Sequence, residues 1–160
     1  MVHSTHSASQ KITLNNYILK RNGVPLGHQK SLKNMLFRSL GAKDFATFWN
    51  YWNPIFGYYL GYFIFKPLKK FLPTTMAFVL TFIFCGALHD AVTSVVQGSL
   101  AFFFTPWFLF MSIGVVLSTI LKLDFSKYSW LFRATMNIIY ISTSLGLTIF
   151  LRIHGYLNII

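Results

Sequence analysis

TTMAFVLTFIFCGALHDAVTSVV, residues 74–96, decides how this chain is read. It exceeds the roughly 20 predominantly apolar residues that a helix needs to cross a bilayer. Near its end, however, stand His89 and Asp90. An ionisable residue inside such a run is costly unless it has a partner or a function, so His89 is a functional-site candidate. On the carboxyl side two further runs have the same character, at about 100–121 and 130–151. Gln97, Gly98 and Ser99 form the first break, and Lys122, Asp124, Ser126 and Lys127 the second. Pro106 lies near the start of the middle run, so its helix is expected to begin with Thr105 as cap and Pro106 at the first helical position.

The whole composition agrees with these runs. Of 160 residues, 54% are hydrophobic and 19% aromatic, with eighteen Phe, more apolar surface than one soluble core of this length requires. The expected fold class is all-α: a multipass membrane protein with about three transmembrane helices. Residues 45–65 are aromatic enough to enter a membrane, but Pro54, Gly57 and Gly61 divide them into short pieces. They are expected to form an interfacial or re-entrant segment.

Fourteen Lys and Arg face only three acids, Asp44, Asp90 and Asp124, for a formal charge of +11. The cations flank apolar runs, which points to membrane orientation and attraction to anionic lipid rather than to nucleic acid. Residues 1–44 thus read as a basic cytoplasmic arm and 45–160 as the membrane domain. With three crossings the amino terminus and the Lys122 loop share the cytoplasmic side, and Arg152 lies opposite. The polar opening MVHSTHSASQ has no apolar core of a secretory signal, and His3, His6 and His28 read as solvated. Cys85 is the only cysteine, so no internal disulfide forms.

RSLGAKDFATFWNYWNP (38–54), followed by FIFCGALHDA (82–91), resembles the membrane-bound O-acyltransferase superfamily. In that family a tryptophan-rich segment with an Asn, Asp or His precedes a membrane helix with a nearly constant histidine. The resemblance covers the later part of such proteins, and this chain reads as a short member. It implies His89 as the catalytic base and Asn53 as its polar partner. Trp49 and Trp52 would contact substrate or anchor the segment at the interface, and Lys66, Lys69 and Lys70 would attract the phosphates of an acyl-CoA co-substrate or lipid heads. No resident cofactor or metal is implied.

The chemistry suits these residue types. Acyl transfer to a hydroxyl needs a base that removes the proton as oxygen attacks the thioester, and histidine serves near neutrality. An Asn amide can orient the acceptor or donate to the developing oxyanion. Asp90 points about 100° around the helix from His89 and is not expected to orient its ring; pairing with Arg152 is one alternative for it. Bland roles compete: His89 hydrogen-bonded to Asn137, Ser142 or Thr143, and Asn53 as a turn or cap before Pro54. Cys85 and His89 have metal-ligand spacing, and His89 with His154 could ligate a haem, but neither pattern has further support. Two functions remain: an acyltransferase acting on a lipid, sterol-like or glycan hydroxyl, or a non-catalytic subunit of a larger membrane complex. Small residues on the later runs favour a homo-oligomer or a partner.

Overall fold

The computed structural model describes residues 12–157, which are helical with no strand among them. His3, His6 and the rest of the first eleven residues of the basic arm lie outside the described residues. In chain order the helices are α1 (Leu14–Asn22), α2 (Ser31–Leu40), α3 (Phe45–Tyr51), α4 (Pro54–Leu60), a π-helical turn (Gly61–Phe65), α5 (Lys66–Leu68), α6 (Thr74–Gln97), α7 (Phe104–Ile120) and α8 (Trp130–Ile153).

Two of these, α6 and α8, are long and apolar enough to cross a membrane, with mean hydropathies of 1.7 and 1.5. The middle run yields a shorter helix than its composition suggests. α7 has 17 residues, about 25 Å at 1.5 Å per residue, because its preceding backbone is held by α6 instead of entering the helix. Ser94 Oγ accepts from Ala101 N at 2.8 Å. Asp90 Oδ1 accepts from Phe103 N and Phe104 N, and its Oδ2 from Thr105 N, at 2.8–2.9 Å. The cap of α7 is therefore Asp90 on the neighbouring helix and not Thr105. Gly86 makes this approach sterically feasible: a Cβ there would lie 2.7 Å from Thr105 Cα.

The basic arm is folded and packed against the later helices. Its helix ends carry local signals: Thr13 Oγ1 caps α1, and Gly23, at φ 79°, closes it, a backbone state that glycine adopts without Cβ strain. α2 then docks on α8 in register. Phe37 stacks on Trp130 at 5.2 Å, and Trp130 Nε1 donates to Phe37 O. Asn137 Nδ2 donates to Leu40 O and Ala42 O, and Phe45 stacks on Tyr140 at 4.8 Å. Residues 37–45 thus follow the first three turns of α8. Beyond them, α3 crosses to α6 and α7, where Phe45, Phe48, Phe82, Cys85, Phe108, Met111 and Val115 form the core.

The aromatic segment breaks in one place rather than three. α3 ends at Trp52, whose backbone is extended, and Asn53, at φ 39°, starts α4 with Pro54 in its first turn. Gly57 and Gly61 lie inside a helical path that continues to Leu68. The path widens at the π-helical turn, where Lys66 N bonds Gly61 O. Pro67 follows, lacking an N–H and needing room for its ring, and the wider turn relieves that demand.

Lys43, at the end of the arm, meets the loop before α8. Its Nζ lies 2.8 Å from Asp124 Oδ2, and Phe125 N donates to Lys43 O at 2.8 Å. The hydrogen bond from Lys43, with those from Ser126, holds the Asp124 carboxyl well below the usual carboxylate range. The same bond raises Lys43.

Candidate functional site

His89 sits in the second half of α6, about 22 Å along the helix from Thr74, and its side chain is exposed. Three rings flank the imidazole: Phe104 at 5.3 Å, Phe108 at 5.4 Å and Phe56 at 6.3 Å between centroids. Phe104 and Phe108 are four residues apart on α7 and so share a helix face. Phe56 comes from the first turn of α4. The ring nitrogens of His89 have no hydrogen-bond partner among the described residues.

Asn53 is linked to Phe56 at the backbone. Its Oδ1 accepts from Phe56 N at 3.2 Å, capping α4, and its backbone N–H points to Met35 Sδ at 3.3 Å. The carbonyl oxygen is thus occupied as a cap, while the amide nitrogen makes no hydrogen bond among the described residues. Both residues singled out in the sequence touch Phe56, Asn53 at its backbone N–H and His89 beside its ring.

Trp49 lies one ring further in. It packs edge-on against Phe82 at 5.0 Å and tilted against Phe108 at 6.2 Å, and its Nε1 is buried with no acceptor among the described residues. Trp52 stacks on Phe48 at 5.5 Å and stays 37% exposed. The three lysines are elsewhere. Lys66 is ten residues beyond Phe56 on the same helical path, roughly 15 Å along its axis, with its ammonium over the Tyr62 ring at 5.5 Å. Lys69 and Lys70 are exposed at the turn that follows.

The groups that competed for His89 lie elsewhere. Asn137 is committed to Leu40 and Ala42, and Ser142 and Thr143 are exposed on α8. Asp90 does not pair with Arg152, whose guanidinium lies over Phe103 at 5.8 Å. Cys85 is buried in the core while His89 is exposed, so the two face different surroundings. No group of three or more His, Cys, Asp or Glu side chains converges among the described residues. His154 Nδ1 lies 2.9 Å from Phe150 O, and its ring rests on Phe150.

Sequence reading missed the three phenylalanines around His89 and the capping role of Asp90. The i, i+4 spacing of Phe104 and Phe108 carried a signal, but only once α7 was known to begin at Phe104. No family model, curated protein or solved structure matches the chain.

Proposed function

We propose that this chain is a membrane-embedded protein of the O-acyltransferase type, with His89 as the base that takes the proton from an acceptor hydroxyl. The hydroxyl oxygen attacks the carbonyl of an acyl thioester, the C–S bond breaks, and the thiolate leaves. The observation that carries this reading is that Phe56, whose backbone N–H is capped by Asn53, sets its ring beside His89. A base and a positioning amide must address one reacting centre, and these two are 36 residues apart in sequence.

Further features support it. The imidazole nitrogens have no hydrogen-bond partner among the described residues, and the rings of Phe56, Phe104 and Phe108 offer an apolar wall to an acyl chain. The acceptor is a lipid, sterol-like molecule or glycan, and an acyl-CoA is the donor, with Lys66, Lys69 and Lys70 attracting its phosphates. In this reading α7 crosses with α6 and α8. The contact of Lys43 with Asp124 favours one cytoplasmic side for the arm and the Lys122 loop.

A second reading, a non-catalytic subunit, is favoured by the outer face of α6. His89 is exposed there between Phe84, Leu88 and Val92, which are 40%, 40% and 65% exposed. An imidazole left against lipid is costly, and a polar group of a partner subunit or a second copy would cover it.

The test incubates purified wild-type protein and His89→Ala with labelled acyl-CoA and candidate hydroxyl acceptors while oligomer size is followed. Catalysis predicts normal assembly and a rate about 100-fold lower or worse. A wild type without transfer, whose assembly fails on His89→Ala, establishes the subunit instead.

A further inference from the structure

We infer that Asp90 is a positioning residue for His89, a role that rests on the proposed function and acts through α7. Asp90 is 5% exposed, and its two oxygens take the N–H groups of Phe103, Phe104 and Thr105. Those groups belong to the first turn of α7, whose N–H groups have no partner within their own helix. A carboxylate there also faces the positive end of the helix dipole. The contact therefore fixes where α7 begins relative to α6.

His89 is the preceding residue on α6, turned about 100° away, so the carboxylate does not touch the imidazole. It sets the ring's surroundings instead. Phe104 is bonded through its own backbone to Asp90, and Phe108 follows one turn later; these two rings form the α7 side of the His89 slot. Gly86 and Ser94, one turn before and after Asp90 on the same face, complete the seat. Gly86 admits the backbone of Phe104 and Thr105, and Ser94 holds Ala101. Neighbouring residues of α6 thus have separate roles, in which His89 faces the substrate and Asp90 holds the wall against which its ring rests.

Three variants test this. Asp90→Asn replaces one accepting oxygen with a donor that faces other donors. Gly86→Ala leaves the carboxylate intact but inserts a Cβ 2.7 Å from Thr105 Cα. Asp90→Glu keeps the charge and moves it outward by a methylene. The readout is the NMR signal of the His89 ring in histidine-labelled protein in micelles, assigned with His89→Ala. In the wild type the Phe108 ring, stacked at 27°, should shift these protons upfield. Folded variants are expected to lose much of that shift and to show kcat for acyl transfer about 10- to 100-fold lower with little change in KM. Any folded variant with wild-type ring signals and wild-type kcat overturns the role. The ring signals report on Asp90 even where the wild type transfers nothing, so failure of the proposed function remains distinguishable from failure of this inference.

Discussion

Asn137 Nδ2 donates to the carbonyl of Ala42 at 3.0 Å across 95 residues of sequence, and to that of Leu40 at 2.8 Å. Both amide hydrogens are used, at a position 2% exposed. The carbonyls of the last turn of a helix have no partner within it, so those ending α2 need a donor where the chain turns into the core. A side chain two turns into α8 supplies it. This one residue ties the basic arm to the long apolar helix α8.

Asn137→Ala should therefore destabilise the protein by about 1–3 kcal/mol, because buried carbonyls lose their donor. Asn137→Asp should be no better, since an ionised carboxylate offers no hydrogen. Unfolding in mixed detergent, followed by tryptophan fluorescence, measures both. Wild-type midpoints would show that water replaces the amide at no cost.

Gly41 is a second lock on the same joint. Its φ of −79° is open to any residue, so its requirement is steric: a Cβ would overlap the indole of Trp130 and stand 3.0 Å from Phe37 O. Gly41→Ala should cost about 1–3 kcal/mol as an overpacked site. In a Trp130→Leu background that cost should shrink, since the obstructing indole is gone. Additive effects of the two changes would place the strain elsewhere.

The ends of α6 and α8 were legible because long apolar runs bounded by turn and charged residues define helices from composition alone. The expected runs of 74–96 and 130–151 differ from the observed helices by one and two residues at their ends. The start of α7 was legible from Pro106 to within two residues, but the group that caps it was not. Leu100 to Phe103 are as apolar as the helix that follows, yet their backbone belongs to the seat built by Gly86, Asp90 and Ser94 on α6. In the arm, Thr13 and Gly23 were local signals for α1 that charge counting passed over. At the site, His89 and Asn53 were visible as residue types, whereas the rings between them depend on which turn of α7 faces α6.

The contact between Lys43 and Asp124 gives a pH dependence whose sign follows from the two shifts. Asp124 is lowered, so its contribution is present above its unfolded value of about 3.9 and is lost as pH falls through the folded one. Lys43 is raised, so its contribution is present below about 10.4 and is lost as pH rises through its folded value. The loop at 122–129 should thus be held across neutral pH and loosen at both extremes. Hydrogen exchange of this loop, measured against pH, should lose its acid limb in Asp124→Asn. High salt should weaken the tether, because both side chains are exposed.

Asn53 offers the sharpest separation of a cap from a catalytic group. Its backbone φ of 39° suits Asn, Asp and Gly, and its Oδ1 caps α4. Asn53→Asp keeps the capping oxygen and loses the amide donor. Asn53→Gly keeps the backbone state at a cost of only a few tenths of a kcal/mol relative to a capped residue. Both proteins should fold and assemble. If the amide donates to an oxyanion beside His89, both should lose transfer by about 10²- to 10³-fold, the usual cost of one such donor. If Asn53 is a cap alone, Asn53→Asp should transfer at the wild-type rate. Turnover by that variant, measured with labelled acyl donor beside an unfolding curve, decides between the two roles, because the substitution spares the helix start and removes the hydrogen.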